Sequence, residues 1–348
     1  MKISKFLLSA FILSALFVSC NNDDDIQEPK GDYENGVLIS GEGGPSGSVY
    51  YVSDDFSTTE SQIYKKVNNS ELNVYLQSMA FDNQNAYICV DNQNTITVVD
   101  RYTFLKKGAI TTDLEAPRYM TVADGIGYAT NWGTSGAYVA VIDVNSFTVT
   151  NKISIAYGPE RIIEKNGRLY VSHKGGFGVN NLISVIDIAT EAVIEITVSD
   201  KPDELFFDTA GNLVVLCEGG VIYDASWVQI GETKGAISKI NPATNTVISE
   251  IVFADGVHPT LLESYGSDLY YTVGSKVYKM SQTSTNLPTN EFIDTEGNLY
   301  GMAFNNNNLY AIDANFLGES TLNEYNLASK AKTNTSKAPI AASKIYFN

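Results

Sequence analysis

Apolar and β-branched residues recur along the chain in short runs that repeat at intervals of about 45 residues. In most copies a run beginning with Tyr or Leu-Tyr is followed by a polar loop and a second run ending in Asp or Asn. The clearest copies pair residues 86–90 with 96–100, 127–131 with 139–143, 169–173 with 183–187, and 309–313 with 322–326. Seven such units, each with four short strands, predict an all-β fold, a seven-bladed β-propeller.

The third unit shows the plan of a blade most completely. From the inner to the outer strand, its predicted strands are residues 118–122, 126–130, 138–142 and 148–155. An Asp-Gly pair at 124–125 and an Asp/Asn-rich segment at 143–147 supply the turns that hairpins require.

The first unit, which begins at Gly36, lacks an inner strand. Near the C-terminus, Ala338-Pro339 repeats the Ala116-Pro117 that opens the third unit, and residues 344–348 then form an unattached strand. We predict that this strand completes the first blade and closes the ring, so that no sheet edge stays open. An eight-bladed ring is the alternative, and it would need a further set of strands.

The first nineteen residues have the pattern of a signal peptide. Lys2 and Lys5 precede an apolar run at residues 6–18. As a helix, this run would span roughly 20 Å, which is less than the bilayer core of about 30 Å. We therefore predict that residues 1–19 are a cleaved segment and not a membrane anchor.

The residues after this segment predict attachment to a membrane by lipid. Residues 16–20, Leu-Phe-Val-Ser-Cys, resemble a bacterial lipobox, which implies that Cys20 is acylated; an ordinary signal peptide with an incidental cysteine is the alternative. Residues 20–35 are polar and predict a flexible tether before a propeller at 36–348. The acidic cluster at 23–25 resembles the surface-export signal of Bacteroidetes lipoproteins, and a spacer on a periplasm-facing lipoprotein is the alternative. We expect a lipid-anchored outer-membrane protein, exposed at the cell surface.

Charge and cysteine content exclude several classes of function. The full chain has a net charge of −17, and removal of residues 1–19 takes away two lysines and no acid. Such a protein is a poor partner for nucleic acid and is expected to stay monomeric by repulsion. Cys89 and Cys217 fall in separate blades and predict buried thiols, because a disulfide needs close Cα atoms. With two histidines and no Cys/His metal spacing, we expect neither a metal nor a cofactor.

One face of the predicted propeller carries the longer loops. Loops between second and third strands share this face with the crossings between blades, and function usually lies on such loops. The predicted ligand-binding residues on this face are Glu42, Gln77, Arg118, Tyr119, Asn131, Trp132, Arg161, His173, Lys174, Phe177, Glu218, Tyr223, Trp227, His258, Tyr300, Asp313 and Phe316. The longest insertion, residues 218–235, is the strongest single candidate for contact with a ligand or partner.

Each of these candidates also has a structural interpretation. The two tryptophans and neighbouring aromatic residues form a rim for a broad ligand, or they cover the ends of their own blades. Arg118 and Arg161 bind a ligand, or they pair with Glu160 and Glu204 between blades. The two histidines meet over the channel, or they make ordinary structural hydrogen bonds.

The arrangement resembles propellers of the YncE/YVTN type in their Bacteroidetes lipoprotein form. The matching features include the lipobox and the acidic cluster that follows it. They also include three segments: Gly36-Val-Leu-Ile-Ser-Gly-Glu-Gly43, Ala116-Pro-Arg-Tyr119 and Lys201-Pro-Asp-Glu204. Within that group the chain is similar to the BtuG lipoproteins, which capture cobalamin and pass it to an outer-membrane transporter. The resemblance implies a corrinoid ligand and a TonB-dependent transporter as partner.

Three functions follow from these features. The first is a non-enzymatic lipoprotein that captures a small nutrient, with cobalamin or another corrinoid as the expected ligand, and hands it to the transporter. The second is an adhesion or scaffold propeller with no small ligand. The third is a propeller lyase or dehydrogenase. The sequence shows no matched His-Glu pair and no Ser-His-Asp arrangement, so we expect no enzyme activity and predict no catalytic residues.

Overall fold

A computed structural model of the protein describes residues 29–348. The predicted signal peptide, Cys20 and most of the predicted tether lie outside these residues. The described chain forms seven four-stranded antiparallel sheets and one separate two-stranded sheet. The seven-bladed propeller is thus confirmed, and no eighth blade occurs in this part of the chain.

The strands of each blade run from the centre of the ring to its edge. Blade 1 contains Ala342–Phe347, Gly36–Gly41, Ser48–Ser53 and Thr59–Glu60, and blade 2 contains Leu76–Phe81, Asn85–Val90, Thr95–Asp100 and Lys106–Ile110. Blade 3 contains Pro117–Ala123, Ile126–Asn131, Tyr138–Asp143 and Thr148–Ser154, and blade 4 contains Pro159–Lys165, Arg168–His173, Leu182–Asp187 and Val193–Thr197. Each predicted strand of blade 3 agrees with the observed one to within one residue at either end.

The remaining blades follow the same order. Blade 5 contains Pro202–Phe207, Leu213–Cys217, Ala236–Asn241 and Thr246–Val252; blade 6 contains Leu262–Tyr265, Asp268–Val273, Lys276–Ser281 and Ile293–Asp294; blade 7 contains Leu299–Asn305, Asn308–Asp313, Glu319–Asn326 and Lys332–Ile340. A short helix, Ile63–Asn68, joins blades 1 and 2, and a 3₁₀ turn, Asp91–Gln93, lies within blade 2. No helix among the described residues is long and apolar enough to cross a membrane.

The C-terminal strand closes the ring as the sequence predicts. It pairs antiparallel with Gly36–Gly41, placing Phe347 opposite Val37 and Ile345 opposite Ile39. The terminal residue is held in place, because the Asn348 side chain donates hydrogen bonds to the carbonyl oxygens of Tyr33 at 2.7 Å and Arg101 at 3.0 Å. The C-terminal strand and the segment just before Gly36 are therefore joined, and the C-terminal strand supplies the inner strand that blade 1 lacks.

The core is divided among the gaps between neighbouring blades. Seven apolar clusters of buried residues fill them, and the cluster that joins blade 7 to blade 1 completes the circle. Cys89 and Cys217 are free, buried thiols in two of these clusters, as predicted. Tyr33 also packs in the core between blades 1 and 2, so the folded domain begins before Gly36.

The insertion at residues 218–235 has more structure than a loop. Gly220–Tyr223 and Gln229–Thr233 pair into a two-stranded hairpin that projects from blade 5. The sequence marks this segment as an insertion but not as strands, because Gly and polar residues interrupt its apolar positions. The hairpin lies on the same side of the ring as the other long loops, where second strands lead into third strands.

Candidate functional site

A polar funnel opens at the centre of the loop-rich face. Its volume is about 770 Å³, and its wall is formed by the entrances of the inner strands and by the loops between second and third strands. The predicted residues that line it are Glu42, Gln77, Arg118, Tyr119, Trp132, Arg161, Lys174, Phe177, Glu218 and Tyr300. These side chains belong to six of the seven blades, all but blade 6, and the ring brings them together.

Most inner strands carry a β-bulge where they enter the funnel. In six of the seven blades, the pairing of the inner strand with its neighbour shifts by one residue near the entrance. Such a bulge gives the inner strand one residue more than its partner and redirects side chains. In blade 3, Arg118 and Tyr119 together face Thr130, and both line the funnel. Consecutive residues of one strand therefore contribute to the same site.

Buried hydroxyl groups on the second strands support these entrances. Thr130 Oγ1 accepts the amide of Tyr119 at 3.1 Å, and Ser172 Oγ accepts the amide of Arg161 at 3.2 Å. Thr272 Oγ1 accepts the amide of Leu261 at 3.2 Å. A hydroxyl at this position compensates for the ladder hydrogen bond that the irregular strand forgoes. The same spacing appears in the sequence as Tyr-x-Thr/Ser at 128–130, 170–172 and 270–272.

A network of buried ion pairs crosses the funnel wall from blade to blade. Arg118 contacts Asp91 of blade 2 and, with Nε 3.1 Å from Oε2, Glu160 of blade 4. This arrangement bears out the structural interpretation of Arg118, which already has two carboxylate partners.

The network continues through blades 4 and 5. Arg161 contacts Glu204 and also lies 3.2 Å from Asp203. Lys174 Nζ bridges Asp203 Oδ2 at 2.9 Å and Glu218 Oε1 at 2.8 Å. Each cation thus holds two acids: those of Arg118 and Lys174 lie on different elements, whereas Asp203 and Glu204 are neighbours on the inner strand of blade 5. These contacts fix the positions of neighbouring blade entrances.

Burial and pairing move the pKa values of these acids in opposite directions. Burial alone would raise the pKa of Asp203, but Lys174 and Arg161 together hold it well below its usual range. At Glu218, burial outweighs the attraction of Lys174 and raises the pKa to about 7. The funnel wall therefore combines a firmly ionised acid with one that changes charge near neutral pH.

Lys344 and Glu263 are two partly buried charged residues with no ionic partner within 4 Å among residues 29–348. Lys344, on the closing C-terminal strand, lines the funnel, and burial followed by repulsion from Arg161 lowers the pKa of its amine. Glu263, farther along the inner strand of blade 6, has its pKa raised to about 8 by burial and by the nearby charge of Glu204. Neither was among the predicted site residues, because a strand pattern does not show which polar position faces the channel.

Aromatic side chains form opposite parts of the rim. Trp132 and Phe177 meet edge to face with ring centroids 5.4 Å apart, and the Arg118 guanidinium lies over Trp132 at 4.1 Å. Across the funnel, Tyr300 packs edge-on against Phe316 at 5.3 Å, and its hydroxyl lies 3.4 Å from Glu42 Oε1. The rim therefore presents aromatic rings next to the charged side chains of the funnel wall.

Besides Phe316, which packs on Tyr300 at the rim, four of the predicted residues lie outside the funnel. Tyr223 and Trp227 are on the projecting hairpin, where Trp227 is 83% exposed. His258 Nδ1 lies 3.1 Å from the Glu218 carbonyl, and Asp313 accepts the amide of Asn298 at 2.8 Å. Trp132 and Trp227 thus lie on one face of the ring but in different places, and Trp227 does not line the funnel.

Two further predicted residues are buried in the fold. Asn131 donates to the carbonyl of Ala129 and accepts the amide of Glu115. His173 lies 2.8 Å from Ser184 Oγ and 3.3 Å from the Tyr157 carbonyl, and burial lowers its pKa to about 4. Both side chains have no exposed surface, so a ligand on this face cannot reach them. The two histidines do not meet, since each has its own partners.

The wall has no group arranged to hold a metal ion. Among residues 29–348, no three His, Cys, Asp or Glu side chains converge in such a way. Five of the six carboxylates that line the funnel are instead bound to arginine or lysine, and the sixth, Glu42, lies 3.4 Å from the Tyr300 hydroxyl.

Comparisons with known proteins place the chain in a family. A model described as "Domain of unknown function (DUF5074)" matches residues 35–315, and the chain belongs to this family. No curated protein matches it in sequence. Among solved structures, a functionally unknown protein from Desulfotomaculum acetoxidans is 15% identical with a TM-score of 0.64, covering 90% of this chain and 98% of that one. A protein from Lactobacillus plantarum is 14% identical with a TM-score of 0.63, covering 90% and 99%.

An enzyme also shares the architecture. The dihydro-heme d1 dehydrogenase NirN, in complex with DHE, is 12% identical with a TM-score of 0.58 and covers 91% of this chain and 76% of that one. At such identities the likeness is one of fold alone, because propellers host unrelated functions.

Replacing Glu263 by Gln should change how stability depends on pH. The folded protein holds this proton up to a pKa of about 8, whereas an unfolded glutamate loses it near 4.5. Because the folded state binds the extra proton, the free energy of unfolding should fall as pH rises through this interval, and the variant should lack that part of the fall. Denaturant titrations at about pH 5 and about pH 9 measure the difference. Glu195→Gln, at an exposed site, is the control; equal pH dependence in all three proteins would contradict the burial of this acid.

Proposed function

We propose that this member of the DUF5074 family is a non-enzymatic binding protein that captures a small molecule in the funnel. The observation that carries the proposal is the ion pairing of the basic side chains in the funnel wall. Its arginines and its lysine at 174 are each bound to two acids, which leaves them fixed as hydrogen-bonding surface and not free for proton transfer. Preorganised polar groups beside aromatic rings are typical of ligand sites.

The charge of the funnel favours a neutral or cationic ligand. Four basic and six acidic side chains line it, within a protein whose net charge is −17. An anion would meet repulsion from this excess of acids. A corrinoid such as cobalamin is a broad ring system fringed with amides, which suits aromatic walls and paired charged groups. The similarity of the sequence to corrinoid-capturing surface lipoproteins supports the same ligand class.

Delivery to a membrane transporter is the second part of the proposal. The hairpin at residues 220–233 has exposed apolar side chains at Ile222, Tyr223, Trp227, Val228 and Ile230. Exposed apolar patches of this kind mark protein contacts more often than they mark free surface. We place a TonB-dependent outer-membrane transporter here, with the protein held nearby through a lipid on Cys20. The same hairpin also favours an adhesion or scaffold role, which needs no small ligand.

Calorimetric titration with cyanocobalamin tests the ligand. Residues 29–348 should bind it saturably with one site. Tyr300→Ala should weaken binding by about 2 kcal/mol, or roughly 30-fold, because the ring loses its contact area at the rim. Trp227→Ala, whose ring is outside the funnel, should bind like the wild type. Absence of binding at micromolar protein and ligand would rule out a corrinoid as the ligand and favour the scaffold role.

Deletion of the hairpin tests the partner. Gly219 and Gly235 are adjacent, because a Cβ on Gly219 would lie 2.6 Å from the Gly235 nitrogen, so joining them removes residues 220–234 without stretching blade 5. The shortened protein should keep its affinity for cyanocobalamin but lose co-purification with the transporter from detergent-solubilised outer membranes. Retention of the transporter at the wild-type level would exclude the hairpin as its contact.

A further inference from the structure

A second cavity lies beside the funnel, behind the rings of Trp132 and Phe177. Its volume is about 560 Å³, and it shares these two rings and Gly176 with the funnel. We call it the side cleft. Its lining comes from the loops of blades 2, 3 and 4, and the three shared residues make it a direct neighbour of the funnel.

Several polar atoms of the side cleft already have hydrogen-bond partners within the protein. Asn94 Oδ1 accepts the amide of Ala116 at 2.8 Å. Glu115 Oε2 accepts the amide of Thr134 at 2.6 Å and its hydroxyl at 2.7 Å. The surface that remains consists mainly of aromatic rings and glycine backbone, which favours an uncharged, apolar group over an ion.

The wall that faces the funnel is rigid. Trp132 Nε1 donates to the Pro159 carbonyl at 3.0 Å, and the Arg118 guanidinium covers part of the ring at 4.1 Å. The indole is therefore fixed in orientation by a hydrogen bond and a cation–π contact. A fixed indole presents a flat surface at little entropic cost when a ligand binds.

Glycine keeps this flat surface accessible. Gly176 has a φ of +58°, and a Cβ at this residue would lie 3.6 Å from the Trp132 ring. A longer side chain there would cover the indole, and the left-handed backbone disfavours other residues. The close packing of Gly158 against Gly175, with an amide-to-carbonyl distance of 3.0 Å, leaves no side chain on this part of the wall.

Phe177 forms the other half of the corner and has no partner on its outer side. It is 101% exposed, on a turn closed by a 2.8 Å hydrogen bond from the Gly178 amide to the Gly175 carbonyl. Its ring stands at 70° to Trp132. A fully exposed phenylalanine at the mouth of a cavity exposes apolar area that a ligand would cover.

We propose that the side cleft binds a planar aromatic or heteroaromatic ring, stacked on Trp132 and flanked by Phe177. The inference rests on the proposed function in one respect, namely that the ring belongs to the molecule held in the funnel. The recognition itself depends only on the corner of the two rings and the glycine wall.

Fluorescence of Trp132 tests the site directly. In a Trp227→Phe protein, residues 29–348 retain Trp132 as their one tryptophan. Titration with benzimidazole should change its emission saturably, with a dissociation constant in the millimolar range expected of a fragment. Cyclohexanecarboxamide, which is not planar, should cause no saturable change. Phe177→Ala should weaken benzimidazole binding at least about fivefold, whereas Phe316→Ala, which removes the exposed ring across the funnel, should not.

The outcomes separate this inference from the proposed function. No saturable response to benzimidazole, or equal losses in the Phe177 and Phe316 variants, would overturn the side cleft even if cyanocobalamin binds. Benzimidazole binding that depends on Phe177 would support the cleft even if cyanocobalamin fails to bind. Because Phe177 is exposed, its removal should leave the melting temperature unchanged, and a large decrease would assign it a structural role instead.

Discussion

The extra residue at the entrance of the inner strands determines which side chains line the funnel. A regular strand sends alternate side chains to opposite faces, so only every second residue would face the channel. The shifted pairing in six blades allows neighbours such as Arg118 and Tyr119 to share one wall. Many charged groups are thereby brought into a confined space, and each must find a partner or pay the cost of burial.

Ion pairing between blades follows from this crowding. Arg118, Arg161 and Lys174 each bind two acids, and the links run from blade 2 to blade 5. Pairs of this kind fix geometry more than they add stability, because desolvation offsets much of the attraction. A binding protein gains from such rigidity, since its polar wall is in place before the ligand arrives. Lys344 and Glu42 line the funnel without an ionic partner among residues 29–348, so their charges are available to an occupant.

Sequence reasoning recovers the parts of the structure that repeat. The period, the strands of blade 3 and the closing C-terminal strand follow from apolar patterning, because every blade buries both sheet faces in the same way. Ten of the predicted ligand-binding residues line the funnel for the same reason: loops of equivalent position must share a face.

The features that the sequence did not predict are local and depend on contacts between separate segments of the chain. In blades 3 and 4 the entrance residues bond to hydroxyls of the second strand, such as that of Thr130. The burial of Asn131 and His173 depends on the Glu115 amide and the Tyr157 carbonyl, which loops bring to them. The hairpin within residues 218–235 breaks the repeat altogether. A single sequence contains these contacts only as isolated polar residues, whose partners appear when the ring is closed.

The most direct test of this account is the free energy of unfolding of Arg161→Met. If the network holds the entrances of blades 4 and 5, leaving Asp203 and Glu204 with a lost partner should cost about 3–5 kcal/mol. Lys65→Met, which removes an exposed pair with Glu71, should cost less than about 1 kcal/mol. Replacing Glu204 by Met as well should restore part of the Arg161→Met loss. Equal small losses in the two single variants would contradict the view that buried charge pairing shapes the funnel.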